Sequence, residues 1–256
     1  MQGNDRQPPP PPESAAPCAA APEPLSGILA IDKPLGISSM TAVSIVRRRA
    51  GGTRTGHAGT LDPLATGVLV MALGKCTRQI DALMATEKRY DTTIDLTAFT
   101  TTDDVQGERT EVPLADGRAA PTRAEIERLL AERFTGTVMQ RPPAFSAMKV
   151  GGRRAYALAR AGQAPELAPR PVTIHSVHVT AYEWPVLSLS MHCGKGTYVR
   201  SLARELGMAL GTGGHCTMIR RTAVGDFTLD RAVPLDAVPQ PITREWLAAR
   251  SGPTTE

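Results

Sequence analysis

The spacing of apolar and polar residues predicts several strands in this chain of 256 residues. From Tyr90 to Ala98 apolar positions alternate with charged or hydroxylated ones, and Leu187–Cys193 alternates in the same way. Each pattern predicts a strand with one buried face. Gly27–Lys33 predicts a short apolar strand. The continuous apolar run from Val68 to Leu73 lies between two glycines and predicts a fully buried strand.

Three segments have the apolar spacing of an amphipathic helix. Ser38 or Ser39 can cap the first. A capping box from Thr122 to Glu125 begins the second, which is predicted to end at Gly136. The apolar positions of the three are Met40, Val43 and Val46; Ile126, Leu129, Leu130 and Phe134; and Leu202, Ala203, Leu206 and Leu210.

The first 24 residues have neither a helical nor a strand pattern. They contain five consecutive prolines, Pro8 to Pro12, in a segment rich in Ala and Pro. Such a composition favours extended polyproline II and disorder, so residues 1–24 are predicted to be a disordered tail and the folded part to begin at Leu25. The segment is no secretory signal, and the chain has no apolar run long enough to span a membrane.

The chain is mildly basic. Lys and Arg number 29 against 25 Asp and Glu, which gives a formal charge of +4 and an isoelectric point near 9.0. The excess favours a polyanionic partner such as RNA. An Arg-rich solvated surface explains the net charge equally well.

The cysteine and histidine positions give no reason to expect a metal. The four cysteines lack Cys-x-x-Cys spacing and lie far apart, which argues against a zinc knuckle and a disulfide framework and favours a reducing, cytoplasmic location. His175 and His178 are three residues apart in a strand-like stretch and are predicted to point to opposite faces. The cysteines are Cys18, Cys76, Cys193 and Cys216.

One carboxylate, Asp62, lies in a constrained setting. Pro63 holds Asp62 out of the α region, so the predicted order is a loop, the acid, at most one helical turn and the buried strand. An Asp-Pro pair commonly caps a helix, and that role is one alternative. Nearby glycines leave the backbone open to a ligand, and the motif holds no second carboxylate. A lone carboxylate suits a nucleophile.

In the segment from Gln140 to Arg160, basic residues alternate with Phe145 and Tyr156, and Pro and Gly residues interrupt regular secondary structure. Charges that meet phosphates and flat rings that meet bases are what a clamp on RNA needs. The alternative is a solvated basic loop. The candidate RNA contacts are Lys149, Arg153 and Arg154.

Several motifs together resemble the tRNA pseudouridine synthase B (TruB) family. Gly56–Gly67, with the sequence GHAGTLDPLATG, is similar to the family signature. The resemblance spans about Leu25 to Thr228, and Thr97 and Thr101 depart from the family, which usually has a Gly and an Asp near these positions. The other matching motifs are Asp32-Lys33-Pro34 with Gly36 and Ser38-Ser39, Lys88-Arg89-Tyr90, Ser146-Ala147-x-Lys149, Gly196-Thr197-Tyr198-x-Arg200 and Met218–Thr222.

The resemblance implies roles for individual residues. It makes Asp62 the catalytic carboxylate and Arg200 its ion-pair partner, which would keep the acid ionised and oriented. It places Tyr90 in the active site, stacked on the target base, although periodicity alone favours a core tyrosine. Tyr198 would line the pocket and Ile219 would pack against the base. The role predicted for His57 is to contact RNA or to support the loop.

The fold, activity and partners follow as expectations. The fold is expected to be α+β, a mixed, largely antiparallel sheet flanked by helices, with a catalytic domain over 25–245, a tail over 246–256 and no separate C-terminal RNA-binding domain. The expected reaction converts uridine to pseudouridine at position 55 in the T loop of tRNA. No metal or organic cofactor, membrane or obligate protein partner is expected, and the protein is expected to be a monomer.

Two other functions stay open. One is a tRNA-binding or tRNA-folding module without catalysis, and the other is a partner-dependent synthase that acts on ribosomal RNA.

Overall fold

The computed structural model describes residues 25–146, 148–163, 165 and 167–251, with backbone only for residues 149, 150, 154, 157 and 160. The predicted tail over 1–24 lies outside the described residues. The four strands and three helices that the sequence pattern predicts are present, and further strands and helices accompany them.

Fourteen strands are present among the described residues. They are β1 (Gly27–Lys33), β2 (Thr55–His57), β3 (Ala65–Leu73), β4 (Lys88–Asp95), β5 (Ala98–Thr100), β6 (Arg109–Glu111), β7 (Gly136–Gln140), β8 (Lys149–Val150), β9 (Arg153–Arg154), β10 (Arg170–Glu183), β11 (Val186–Cys193), β12 (His215–Val224), β13 (Phe227–Thr228) and β14 (Val233–Pro234).

Ten of these strands form one sheet, in the order β14-β1-β3-β12-β4-β11-β10-β7, with β2 paired to β3 and β13 paired to β12. Only β1 with β14 and β3 with β12 run parallel. Two small sheets join β5 with β6 and β8 with β9. The predicted α+β fold with a mixed, largely antiparallel sheet is therefore confirmed.

Six α-helices accompany the sheet in the described part of the chain. They are α1 (Ser39–Arg49), α2 (Ile80–Ala85), α3 (Arg123–Arg133), α4 (Ala155–Arg160), α5 (Val199–Leu210) and α6 (Arg244–Ala248). None of them is long and apolar enough to cross a bilayer.

The caps agree with the sequence prediction, and one apolar position does not. Ser38 caps α1 by accepting a hydrogen bond from the Thr41 amide, and both hydrogen bonds of the predicted capping box begin α3. The prediction that Met40 faces the core is wrong, because Met40 is exposed and Ser39 is buried instead. Ser39 is buried because its hydroxyl group forms hydrogen bonds with the neighbouring loop.

The buried strand β3 begins earlier than predicted. It begins at Ala65 rather than after Gly67, and Gly67 lies inside it with a φ of +98°. A Cβ atom at Gly67 would lie 2.2 Å from the carbonyl oxygen of Arg221, so the glycine permits a close approach of β12. Val68 and Val70 pack on one face of the sheet while Leu69 and Met71 pack on the other, which explains the continuous apolar run.

The prediction that His175 and His178 point to opposite faces is wrong. A register shift in β10 between Ile174 and Ser176 interrupts the alternation, so Ile174 and Val177 are both buried although they are three residues apart. His175 and His178 are consequently both exposed.

Candidate active site

A cavity of about 240 Å³ opens where the loop before β3, the start of β4, the middle of β12 and the turn before α5 meet. Its volume is below the range of about 300–1,000 Å³ that is usual for drug-sized ligands, so it suits a single planar base. Five of the predicted site residues line it together, namely Asp62, Tyr90, Tyr198, Arg200 and Ile219.

The loop that carries Asp62 is held at several points. The Ser39 hydroxyl accepts a hydrogen bond from the Leu61 amide and donates one to the Leu61 carbonyl, both at 2.8 Å. The Ala65 amide donates to the Asp62 carbonyl at 3.0 Å, which closes the single predicted turn. The carboxylate is therefore aimed by a fixed backbone, as a reactive group requires.

Asp62 and Arg200 form an ion pair. Arg200 Nη2 lies 2.9 Å from Asp62 Oδ2, and 5% of the Arg200 side chain is exposed against 38% of the Asp62 side chain. Arg200 also donates to the carbonyl oxygens of Thr102 at 2.7 Å and Phe145 at 2.9 Å. These bonds fix the guanidinium in the cavity wall and leave the carboxylate open to a ligand.

Sequence reasoning missed a second carboxylate, Asp104, behind Arg200. Its Oδ2 atom lies 3.7 Å from Arg200 Nη1, and its side chain is 4% exposed. Asp104 Oδ1 accepts hydrogen bonds from the Thr102 hydroxyl at 2.6 Å and the Gln106 amide at 3.0 Å. The acid lies in the segment that departs from the family at Thr101, and the Asp-Asp pair there was the available signal.

The adjacent acid, Asp103, belongs to a separate ion pair. Its side chain pairs with Arg204, one turn along α5 from Arg200. Burial raises the pKa of the Asp103 carboxyl above its ordinary value, although Arg204 and Arg200 act in the opposite direction. Asp103 has a φ of +60°, so the loop turns sharply here and sends the two neighbouring carboxylates to different arginines.

Arg221 is the other residue that sequence reasoning missed. Only 1% of it is exposed, yet it lines the cavity. Its Nε donates to the Val68 carbonyl at 2.7 Å, and its Nη2 donates to the Gly59 carbonyl at 3.0 Å. Arg221 thus joins β12 to the loop that carries Asp62. The sequence feature that could have identified Arg221 is its position two residues after Ile219, on the same face of the strand.

Tyr90 lies at the cavity wall with 9% of its surface exposed. Burial raises the pKa of its phenol above the ordinary value, so the hydroxyl stays protonated near neutral pH. The predicted alternation of β4 is confirmed, because residues 88, 90, 92 and 94 are buried. The ring belongs both to the core pattern and to the cavity.

Two buried lysines lie close to the site. Burial lowers the pKa of Lys33 to about 8, against the opposing effect of the Asp62 charge. Burial also lowers the pKa of Lys88 to about 8, and the nearby Arg221 acts in the same direction. The Lys33 ammonium donates to the carbonyls of Pro34 at 2.9 Å and Ile37 at 2.8 Å, which closes the turn before α1.

Tyr198 is fixed by two hydrogen bonds from one side chain. Gln140 donates to the Tyr198 carbonyl at 3.1 Å and accepts from the Tyr198 amide at 2.8 Å. The Arg170 guanidinium lies 5.5 Å from the centroid of the Tyr198 ring, within cation–π range. The end of β7 is thereby joined to the cavity rim.

Of the predicted RNA-binding residues in the basic segment and β2, the two whose side chains are described, His57 and Arg153, do not line the cavity. His57 lies in β2, paired with Met71 of β3. Arg153 is exposed in the hairpin of β8 and β9, while the side chains of Lys149 and Arg154 lie outside the described residues. Ser146, at the start of this basic segment, does line the cavity. The segment therefore contacts the cavity at Ser146.

Comparison with known proteins identifies the family. Residues 47–199 match the TruB family pseudouridylate synthase (N terminal domain), and residues 200–247 match the tRNA pseudouridylate synthase B C-terminal domain. The second range includes α5 and β12, and β12 belongs to the main sheet.

Similar proteins share much of this chain. A tRNA pseudouridine synthase B of Arthrobacter sp. is 48% identical over 218 residues, which are 83% of this chain and 70% of the relative. One from Thermobifida fusca is 47% identical over 223 residues, which are 82% of this chain and 73% of the relative.

A solved chain from a Cbf5-Nop10-Gar1 complex matches with a TM-score of 0.64 and 28% identity. The match covers 83% of this chain and 53% of that one. With family models over residues 47–247 and relatives nearly half identical over most of its length, the chain belongs to the TruB family of pseudouridylate synthases.

Proposed function

We propose that this protein isomerises uridine to pseudouridine at position 55 in the T loop of tRNA, with Asp62 as the nucleophile. The observation that carries the proposal is the pairing of Asp62 with Arg200 at 2.9 Å in a base-sized cavity. The named relatives are tRNA pseudouridine synthases B, which supports tRNA as the substrate.

The target base must first leave the stacked loop, which costs a few kcal/mol. In the cavity the Tyr90 ring and the Ile219 side chain offer apolar surfaces to a planar base. Stacking on the aromatic ring is worth about 1–3 kcal/mol and offsets part of that cost. The cavity thus favours the flipped base over other parts of the RNA.

The reaction exchanges one bond to the sugar for another. Asp62 attacks the sugar C1′ or the uracil C6, the bond from C1′ to N1 breaks, and the uracil rotates. A bond from C1′ to C5 then forms, the bond between the Asp62 oxygen and carbon breaks to restore the carboxylate, C5 loses its proton, and N1 gains one. Arg200 holds the carboxylate in place throughout. The net change is an isomerisation, so it needs no redox partner and no hydrolytic water.

The RNA contacts outside the cavity come from the basic segment. Arg153 is exposed there, and Lys149 and Arg154 are its sequence neighbours in the same hairpin. Phosphate contacts by such residues supply affinity that falls as the salt concentration rises. His57, which pairs with Met71 through β2, is expected to contact RNA or to support the loop that carries Asp62.

We also infer that the protein works in the cytoplasm, as a monomer and without an obligate protein partner. One chain supplies Asp62, Arg200 and Tyr90 to the cavity, and Cys76, Cys193 and Cys216 are free thiols, as suits a reducing compartment.

Tritium release from tRNA labelled at uridine C5 tests the proposal, because pseudouridine formation frees that hydrogen. The purified wild type alone should release tritium, and replacement of the T-loop uridine by cytidine should abolish the release. Asp62→Asn should lower the rate by about four to six orders of magnitude. The exposed Asp226→Asn serves as the matched control and should keep the wild-type rate.

The same experiment separates the alternatives. Tight tRNA binding without release from the wild type would overturn the catalytic proposal in favour of an RNA-binding module. Release that appears only after other proteins and a guide RNA are added would favour a partner-dependent synthase, the kind of assembly to which the Cbf5-Nop10-Gar1 likeness points.

A further inference from the structure

Three potential metal ligands meet on the exposed face of the sheet, and none of them lines the cavity that holds Asp62. They are Glu87, His175 and His192, and their ligand atoms all lie within 4.8 Å of one another. His175 Nε2 lies 3.1 Å from Glu87 Oε1, and His192 Nε2 lies 2.8 Å from Glu87 Oε2. The side chains are between about a quarter and about half exposed, so an ion can reach them from solvent.

Rigid elements hold this cluster. His192 is on β11 and His175 on β10, while Glu87 immediately precedes β4, so the ligands come from three adjacent strands. The bulge in β10 turns His175 outward beside the Ser176–His192 pair, and the two imidazole rings have centroids 4.7 Å apart. The Glu87 carbonyl accepts a hydrogen bond from the Gly225 amide at 2.9 Å, which fixes its backbone.

The spacing fits a small transition-metal ion. Bonds of about 2.0–2.1 Å in tetrahedral geometry place neighbouring ligand atoms about 3.3 Å apart. The observed distances from the two histidines to Glu87 are 2.8 and 3.1 Å, each to a different carboxylate oxygen, and all ligand atoms lie within 4.8 Å of one another. Rotation of these partly exposed side chains would bring one oxygen and the two nitrogens to the spacing that the ion needs. Two imidazoles and one carboxylate are a donor set typical of zinc, with a fourth position left for water.

We propose that Glu87, His175 and His192 bind one divalent transition-metal ion of the zinc type. This site goes beyond the proposed isomerisation and takes no part in it. The ion would cross-link β4, β10 and β11 on the opposite side from the core. The strand β4 also carries Tyr90 into the cavity.

Titration of the full-length, tag-free, reduced protein with Zn²⁺ and with Co²⁺ tests the site. One equivalent of each should bind, and the cobalt form should show visible d–d absorption without a thiolate charge-transfer band, since the four cysteines are not ligands. Glu87→Gln, His175→Ala and His192→Ala should each weaken binding by roughly tenfold or more. His178→Ala removes an exposed histidine from the same strand outside the cluster and should bind like the wild type.

Thermal unfolding with and without Zn²⁺ provides a second measurement. The ion should raise the midpoint of the wild type and of His178→Ala, and should leave the midpoint of the three ligand variants unchanged. The proposal is overturned if no saturable binding occurs, if a thiolate band appears, or if the ligand variants bind as tightly as His178→Ala. In those cases the cluster is a histidine–carboxylate hydrogen-bond pair alone.

Discussion

The guanidinium of Arg200 contacts the carboxylate of Asp62 at 2.9 Å from a position that is almost fully buried. The same guanidinium donates to two backbone carbonyls and lies near Asp104. A planar fork with several fixed donors can satisfy these partners at once, and a lysine ammonium cannot. The site therefore requires the planar shape of the Arg200 guanidinium and not only its positive charge.

Arg200→Lys should lower the rate of pseudouridine formation in single-turnover experiments by at least about 100-fold, because the carboxylate loses its orientation. The affinity for tRNA should change by less than threefold, since the residue lies in the cavity wall. Filter binding and single-turnover tritium release measure the two effects. Arg204→Lys, one turn along α5 and paired with Asp103, is the control and should keep the rate within a few-fold of the wild type. Equal rates for the two variants would contradict this role for Arg200.

Asp104→Asn should lower the free energy of unfolding by about 1–3 kcal/mol, because it leaves the buried Arg200 with one fewer anion. The amide oxygen of Asn can still accept from the Gln106 amide, so the turn itself should persist. Urea denaturation measures the loss. Asp116→Asn, at an exposed position, should change the free energy by less than about 0.5 kcal/mol. An Asp104→Asn value as small as that of Asp116→Asn would show that Arg200 does not depend on this acid.

Gly67→Ala should destabilise the protein by more than about 3 kcal/mol, because the added methyl group would lie 2.2 Å from the Arg221 carbonyl oxygen. Gly136→Ala has a similar positive φ, +87°, with open space around the added group. Only the backbone penalty of about 1–2 kcal/mol applies there. Thermal or urea unfolding of both variants separates the close approach from the backbone strain, and a matching loss in the two would argue against the contact.

Lys33 should make stability depend on pH. Burial lowers its pKa from 10.5 to about 8, so between these values the unfolded chain keeps a proton that the folded protein has released. Raising the pH through this window therefore favours the folded state. The free energy of unfolding of the wild type relative to Lys33→Met should rise by up to about 1.4 kcal/mol per pH unit.

Urea denaturation of both proteins below, within and above the window measures the Lys33 effect. Contributions from cysteines and tyrosines are common to both proteins and cancel in the difference. A difference that stays constant across the window would mean that the folded Lys33 keeps its proton.

The features that the sequence predicted correctly are those encoded locally. Thr122 and Glu125 form their capping box within a single turn, and the β4 alternation needs only a strand with one buried face. The features that it missed depend on distant pairing. The buried Arg221 side chain donates to carbonyls at positions 59 and 68, which are far away in the sequence. The bulge at His175 depends on how β10 pairs with β11. No pattern within β10 marks that bulge.

The roles of the site residues stay predictions that rest on the proposed chemistry. The structure brings Asp62, Tyr90, Tyr198, Arg200 and Ile219 together, although they are up to 157 positions apart in the chain (219 − 62). The order of the motifs contains no information on distances in space. The sequence could therefore identify these residues one by one as candidates, but it could not predict that they line one cavity.

The bonds from Arg221 to the Gly59 and Val68 carbonyls have a consequence for when the protein becomes active. They join positions that are 162 and 153 residues apart, and β12 itself lies between β3 and β4 in the sheet. Such contacts close long loops at a cost in chain entropy, and they need residue 221 to be present. A nascent chain that does not yet contain residue 221 has the Asp62 motif in its sequence but lacks part of the cavity lining. The protein can therefore modify RNA only after β12 has been added to the sheet. The onset of activity during synthesis or refolding would report that β12 has paired with β3 and β4.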